Sequence, residues 1–123
     1  MSVPKILVID DSASIVEVAR IALEMIGKME VRSFATGQEA LDLLPSWRPD
    51  LILLDYHLPD MDGPAILKHI QENPITASIP VVFLTGRAKS HEMEEYRRMG
   101  AKATLTKPFD PDRLVQDVRD LLE

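Results

Sequence analysis

Residues 51–63 are LILLDYHLPDMDG, and they carry the clearest structural signal in the chain. The first four residues are bulky and apolar, a pattern typical of a strand that is buried on both faces inside a parallel sheet. Asp55 follows directly and therefore lies at the carboxyl end of that strand, where open α/β sheets bind their ligands. Pro59 and the pair Asp62-Gly63 indicate a turn towards the next helix. A single aspartate in this position could simply cap a loop, so the other strand ends must be compared with it.

The composition is that of one ordinary globular domain. The 123 residues are 46% hydrophobic and 28% charged, so we predict a single domain over residues 1–123. With 20 acidic and 14 basic side chains the formal charge is -6, which disfavours direct binding of nucleic acid. The lack of cysteine excludes disulfides and thiolate chemistry. No long apolar segment opens the sequence, so we expect a cytoplasmic protein without a membrane partner.

Four further segments predict strands, and each is followed by a helical pattern. They are residues 5–9, 30–34, 81–84 and 103–106. Five strands that alternate with five helices predict βαβ units and a parallel sheet. The second segment alternates polar and apolar residues, which indicates an edge strand. Together with right-handed crossovers, this pattern favours the order 2-1-3-4-5 of a flavodoxin-like (βα)5 three-layer sandwich.

Capping signals predict where the helices begin. Residues 14–17 and 36–39 have the S/T-x-x-E form of a capping box and predict the starts of helices 1 and 2. Asp62 before Gly63-Pro64 predicts the start of helix 3, and Asp110-Pro111 predicts the start of helix 5. Helix 1 is expected to bury an apolar stripe at helical spacing, made of Ile15, Ala19, Ala22 and Ile26.

The fourth predicted helix, residues 89–99, is charged nearly throughout. Its apolar residues are Met93, Tyr96 and Met99, so we expect it to be the least firmly packed helix. Such a helix is a candidate for conformational change, because a ligand can shift a segment between two conformations only where their free energies differ by a few kcal/mol.

Polar side chains end other strands at the same rim of the predicted sheet. Asp10 and Asp11 follow strand 1, Thr85 ends strand 4 and Lys107 follows strand 5. In the order 2-1-3-4-5 the switch point lies between strands 1 and 3, so Asp10, Asp11 and Asp55 should converge there. Each residue alone could be a helix cap or a solvated charge. Their shared position at four of five strand ends favours one common site.

Three converging carboxylates predict a bound cation. Two carboxylates about 4 Å apart repel by about 4 kcal/mol at an effective dielectric constant near 20. Ligands that are all oxygen indicate Mg²⁺, which is often completed by a phosphate. The Thr85 hydroxyl and the Lys107 ammonium are suited to bind phosphate oxygens. The chemistry that these groups favour is phosphoryl transfer to or from a carboxylate.

With these motifs the chain resembles, over essentially its whole length, the receiver domains of response regulators in bacterial two-component signalling. The acidic pair of that family matches Asp10 and Asp11, and its phosphoacceptor matches Asp55 within residues 55–63. Its switch hydroxyl matches Thr85, and its Lys-Pro pair matches Lys107-Pro108.

The resemblance implies that Asp55 receives a phosphoryl group from a phosphohistidine of a sensor histidine kinase or a phosphotransfer protein. It implies Mg²⁺ held by Asp10, Asp11, Asp55 and the backbone carbonyl of His57, with Thr85 and Lys107 contacting the acyl phosphate. The protein would be a switch rather than a turnover enzyme. It would control an effector protein or an attached output domain through helix 4, strand 5 and helix 5.

Several positions are expected to modulate the site. Thr104 stands in strand 5 where the family usually has an aromatic residue that swings inward, so we expect residues 86–99 to carry the signal instead. His57 and Arg87, two residues after Asp55 and Thr85, occupy positions that influence phosphate lifetime in the family. The same resemblance adds Gly86 and Pro108, and it predicts a cis peptide bond between Lys107 and Pro108.

Two other functions use related chemistry on a parallel sheet and are alternatives to the switch. A phosphatase of the haloacid-dehalogenase type also uses an aspartate nucleophile and Mg²⁺ on a parallel sheet, but it requires a second aspartate two residues after the first on strand 1. This chain has Ser12 there. A flavodoxin that binds FMN is disfavoured, because Asp10 and Asp11 lie where the phosphate of FMN needs hydroxyls and amides.

Overall fold

The structure, a computed structural model, describes residues 3–86 and 90–123. Within these residues the chain alternates strands and helices. The strands are β1 (Lys5–Ile9), β2 (Glu30–Phe34), β3 (Leu51–Asp55), β4 (Val81–Thr85) and β5 (Ala103–Thr106). The helices are α1 (Ala13–Ile21), α2 (Gly37–Leu43), α3 (Gly63–Glu72), α4 (Ser90–Met99) and α5 (Pro111–Leu122). A π-helical turn, Ala22–Ile26, continues α1.

The five strands form one parallel sheet in the order β2-β1-β3-β4-β5, which confirms the predicted order and the flavodoxin-like fold. The register sets Ile9 opposite Leu54 and Asp55 opposite Leu84. It also sets Thr85 opposite Thr106. The carboxyl ends of β1, β3, β4 and β5 therefore lie at one rim of the sheet.

The strand β3 is the centre of the molecule, and its five residues are all buried. Leu51 and Leu53 belong to the core that includes side chains of α1 and α5. Ile52 and Leu54 belong to the core on the other face, which includes side chains of α2, α3 and α4. Because both faces are covered, each of these side chains stabilises the fold by about 2 kcal/mol through burial.

Three of the predicted helix starts are confirmed. The side chain of Thr36 accepts a hydrogen bond from the backbone of Glu39, as a capping residue does. Asp62 caps α3 and Asp110 caps α5 in the same way. The predicted capping box at residues 14–17 is wrong. Ser12 caps α1 instead, because its hydroxyl accepts the N–H of Ile15 at 3.4 Å.

The predicted apolar stripe of helix 1 is half right. Ala19 and Ala22 are fully buried, but Ile15 is only partly buried and Ile26 is 45% exposed. For Ile26 the reason is the π-helical turn, in which the N–H of Gly27 donates to the carbonyl of Ala22 five residues earlier at 3.0 Å. This wider turn changes the angle between successive side chains, so a stripe spaced for an α-helix drifts out of the core.

The helix α4 has one buried residue among those described, the aromatic Tyr96. Tyr96 is 6% exposed, whereas Met93 and Met99 are only partly buried. The ring of Tyr96 lies 5.3 Å from that of Phe83 in β4 and 4.9 Å from that of Tyr56, which follows β3. Weak packing of α4 stays a prediction. Within the described part of the chain, no helix has the length and apolarity to span a bilayer.

Candidate functional site

Hydrogen bonds just beyond the strands hold the rim of the sheet in place. The N–H of Asp10 donates to the carbonyl of Phe34 at 3.1 Å, and the N–H of Tyr56 donates to the carbonyl of Leu84 at 3.1 Å. The N–H of Lys107 donates to the carbonyl of Thr85 at 2.8 Å. The residues that carry the site therefore begin from ordered backbone, which limits how far their side chains can move.

Three carboxylates meet at this rim, as the sequence predicted. One oxygen each of Asp10, Asp11 and Asp55 lies within 4.8 Å of the others. Asp10 is 1% exposed and Asp55 is 7% exposed, whereas Asp11 is exposed to solvent. Backbone donors orient the buried pair, since Ser12 N–H binds Oδ1 of Asp10 at 2.9 Å and His57 N–H binds Oδ1 of Asp55 at 3.3 Å.

The side chain of Lys107 reaches across the sheet to both buried carboxylates. Its Nζ atom lies 2.6 Å from Oδ2 of Asp10 and 3.1 Å from Oδ1 of Asp55. Within the described residues, that oxygen of Asp10 has no aligned hydrogen bond besides this ion pair. A buried acceptor left in this state is what a bound cation would satisfy, and the oxygen ligands suit Mg²⁺.

The environment shifts the pKa values of Asp55 and Lys107. Burial raises the pKa of Asp55, and the charge of Asp10 raises it further, while Lys107 opposes the change. Burial alone would lower the pKa of Lys107, but its contacts with Asp10 and Asp55 outweigh burial and leave that pKa above its ordinary value. The ammonium is therefore charged at neutral pH, and the crevice still favours additional positive charge.

Comparison with known proteins decides the family. The sequence model of the response regulator receiver domain matches residues 6–119. The chain belongs to this family. Two of its relatives are response regulator Rre1 of Synechocystis, 37% identical over 95% of this chain and 51% of its own length, and sporulation initiation phosphotransferase F of Bacillus subtilis, 37% identical over 96% and 93%. The haloacid-dehalogenase alternative has no support from these matches.

The fold comparison agrees with that assignment. Chemotaxis response regulator CheY4 of Vibrio cholerae has a TM-score of 0.90 and 30% identity, with 98% of this chain and 99% of that chain covered. Several curated response regulators are longer proteins, and this receiver domain spans about half the length of those it matches first.

A cavity of about 540 Å³ opens in the receiver domain between α4 and the carboxyl ends of β3 and β4. The predicted site residues Thr85, Gly86 and His57 line it. Its remaining wall is aromatic and acidic, made of Tyr56, Tyr96, Glu92 and Glu95. His57 is exposed and Thr85 is partly exposed, so both are accessible from this cavity.

Three further positions predicted to modulate the site are Pro108, Thr104 and Arg87. The peptide bond between Lys107 and Pro108 is cis, which confirms the prediction. Thr104 is partly buried in β5, opposite Phe83 of β4 in the register. Arg87 lies outside the residues that the structure describes.

Sequence reasoning missed the role of Asp60, although this residue lies within the motif of residues 55–63. Both of its carboxylate oxygens accept backbone hydrogen bonds from α2, from Gly37 at 2.9 Å and from Gln38 at 2.9 Å. These donors hold the pKa of Asp60 below its ordinary value. No local pattern could have revealed the contact, because the partners are more than twenty residues apart in sequence.

Sequence reasoning also missed an aromatic cluster beside the site. Tyr56 packs against His57 at 4.9 Å, Phe83 at 5.6 Å and Tyr96 at 4.9 Å between ring centroids. The rings of Tyr56 and His57 follow β3, whereas those of Phe83 and Tyr96 belong to β4 and α4, so their meeting depends on the sheet order. The cluster connects the residue that follows Asp55 directly to α4.

Proposed function

We propose that this domain is a phosphorylation switch in which Asp55 accepts a phosphoryl group from a phosphohistidine of a sensor histidine kinase or a phosphotransfer protein. The observation that carries the proposal is the convergence of Asp10, Asp11 and Asp55 around the ammonium of Lys107. Family membership supports it, because receiver domains of response regulators accept phosphoryl groups. Asp55 is 7% exposed and directly precedes Tyr56 and His57, which line the adjacent cavity.

In the proposed reaction a carboxylate oxygen of Asp55 forms a bond to phosphorus while the bond from phosphorus to the donor imidazole breaks. The electron pair of the broken bond returns to the imidazole nitrogen, which takes up a proton. The product is an acyl phosphate on Asp55. Lys107 stays protonated and neutralises charge on the phosphoryl oxygens, and the Thr85 hydroxyl donates to one of them. Positioning and charge neutralisation supply the catalysis, so no general base is required.

We propose Mg²⁺ as the cofactor, held by Asp10, Asp11, Asp55 and the backbone carbonyl of His57. When bound, the ion neutralises negative charge on the carboxylates and on the phosphoryl group. The buried Oδ2 atom of Asp10 supports this assignment, because among the described residues its one partner is the ammonium of Lys107. The exposed position of Asp11 supports it as well, because Mg²⁺ keeps several of its waters.

We further propose that residues 1–123 act as one receiver domain, as a switch and not as a turnover enzyme. The phosphorylated form would control an effector protein or an attached output domain through α4, β5 and α5. The aromatic contacts of Tyr96 support this route, because they connect α4 to the segment that follows Asp55. The cytoplasmic location expected from the sequence stays a prediction.

The test is covalent labelling with acetyl phosphate. Intact-protein mass spectrometry of the wild-type chain with Mg²⁺ should show a gain of one phosphoryl group. Asp55→Asn should show no gain, while Asp112→Asn, an exposed aspartate of α5, should be labelled like the wild type. Labelling of Asp55→Asn would overturn the assignment of the acceptor. Full labelling in EDTA would overturn the role of the metal.

A further inference from the structure

The contact of Asp60 with α2 ties two parts of the molecule together. Asp60 lies in residues 56–62, which connect β3 to α3 and which we call the β3–α3 loop. Its two oxygens bind the N–H groups of Gly37 and Gln38, both at 2.9 Å. Close packing supports the same contact, since a Cβ atom at Gly37 would lie 2.8 Å from Cγ of Met61. The end of the loop that is remote from Asp55 is therefore attached to α2.

The same loop carries His57, whose backbone carbonyl belongs to the proposed metal site. The N–H of Gly63 donates to the carbonyl of Tyr56 at 2.7 Å, and His57 pairs with Asp62 in an antiparallel bridge. The two sides of the loop are thus held to each other. A displacement of the Asp60 end would therefore be passed to the His57 side.

The helix α2 does not depend on Asp60 alone for its capping. Thr36, the N-cap of α2, accepts the N–H of Glu39 at 3.3 Å and donates its hydroxyl to the Glu39 side chain at 2.8 Å. Asp60 binds the N–H groups of Gly37 and Gln38, the two residues between Thr36 and Glu39. The chain therefore offers two caps of the same helix, and only one of them is attached to the β3–α3 loop.

We propose that Asp60 is a positioning residue of the metal site, which holds the β3–α3 loop on α2 and so fixes the carbonyl of His57. This inference rests on the proposed function, since it concerns the same site. It predicts that loss of Asp60 weakens Mg²⁺ binding although Asp60 itself does not touch the ion. Residues that orient metal ligands from outside the ligand set commonly change metal affinity by about 10-fold or more.

Three variants distinguish the positioning of the β3–α3 loop by Asp60 from the effects of its charge and of capping α2. Asp60→Ala removes the charge and both hydrogen bonds. Asp60→Asn removes the same charge but keeps one oxygen acceptor, so the two differ in hydrogen bonding and not in charge. Thr36→Ala is the matched control, because it removes a cap from α2 without touching the β3–α3 loop.

The first measurement is amide hydrogen exchange of the metal-free protein. In Asp60→Ala the amides of residues 56–63 should exchange about 10-fold faster, since the loop loses its attachment. In Thr36→Ala the increase should be confined to α2. Unchanged exchange of residues 56–63 in Asp60→Ala would overturn the inference without any involvement of metal or phosphate.

The second measurement is the dissociation constant for Mg²⁺, obtained from NMR shifts of backbone amides in a MgCl₂ titration. Asp60→Ala should raise it by about 10-fold, Asp60→Asn by a smaller factor, and Thr36→Ala should leave it unchanged. Equal Mg²⁺ dissociation constants for Asp60→Ala and the wild type would overturn this inference but not the proposed function. Equal losses in Asp60→Asn and Asp60→Ala would also overturn it, because charge would then suffice. A wild-type protein that does not bind Mg²⁺ would instead overturn the proposed function.

Discussion

The ammonium of Lys107 lies 2.6 Å from Oδ2 of Asp10, and this ion pair joins the ends of β5 and β1 across two intervening strands. The side chain of Asp10 is fully inaccessible to solvent, while that of Lys107 is 17% exposed. A carboxylate buried to this extent is stable as an anion only with a compensating charge. Lys107 therefore holds the site together in the absence of metal and remains positioned for a phosphoryl group.

We expect Lys107→Met to lower the free energy of unfolding by about 3 kcal/mol at neutral pH in EDTA, because it leaves a buried carboxylate without its partner. Added Mg²⁺ should restore part of the loss, since the ion binds the folded state. Chemical denaturation with and without MgCl₂ measures both effects. Lys68→Met, at an exposed position of α3, is the control and should change stability by less than about 0.5 kcal/mol. Equal stability of Lys107→Met and the wild type in EDTA would contradict the argument.

Asp55→Asn should melt at a higher temperature than the wild type at neutral pH in EDTA, by a few degrees. Burial and the charge of Asp10 raise the pKa of Asp55 above 3.8, so the folded state binds this proton more tightly than the unfolded state does. Ionisation therefore costs stability as the pH rises through the folded pKa, and asparagine avoids that cost. Below pH 3.8 the carboxyl is protonated in both states, so the difference should disappear.

Thermal melts of both proteins across the acidic and neutral range test this dependence. Addition of Mg²⁺ should stabilise the wild type more than Asp55→Asn, because the variant lacks one of the proposed ligands. A difference in melting temperature that is constant with pH would show that the effect does not come from ionisation of Asp55.

His57 and Arg87 should set the lifetime of the acyl phosphate more than its formation. His57 is exposed, lines the cavity and follows Asp55 by two residues. Replacing both residues by alanine should change the rate of dephosphorylation several-fold, about 1 kcal/mol in the barrier. Decay of the phosphorylated species after removal of acetyl phosphate measures this rate. His69→Ala, on the exposed surface of α3, serves as control. A change in the phosphorylation rate alone would refute the prediction.

We expect phosphorylation to act on residues 86–99 and not on a ring in β5. Thr104 has one short side-chain torsion and little area to bury differently in two states. Tyr96, in contrast, packs its ring on Tyr56 and Phe83 and connects α4 to the site. Amide hydrogen exchange with and without beryllofluoride and Mg²⁺ should therefore differ over residues 86–99. Protection that changes in α1 or α5 only would exclude α4 as the moving element.

Much of the fold could be predicted because its signals are local. The strand bounds of β1, β2 and β5 agree with the sequence prediction, since short apolar or alternating segments between turn residues indicate strands. The caps Thr36, Asp62 and Asp110 were also predicted correctly, because a cap binds a backbone N–H only two or three residues away.

Local signals failed where two neighbouring residues offered the same chemistry. Ser12 and Ser14 both offer a hydroxyl at the start of α1, but Ser14 lies inside the helix, whereas Ser12 precedes it with extended backbone and is the cap. The π-helical turn was not predicted either, because an extra residue in one turn depends on packing against the rest of the fold. The exposure of Ile26 follows from that turn.

The sequence by itself determined which side chains stand at the strand ends, because apolar runs of fixed length place Asp10, Asp55, Thr85 and Lys107 after the strands. Only the tertiary structure decided which of them touch. The ion pairs of Lys107, the attachment of Asp60 to α2 and the ring contact of Tyr56 with Tyr96 all join residues that are distant in sequence. Such contacts depend on the order and register of the strands, which hydrogen bonding and burial across the whole sheet select together.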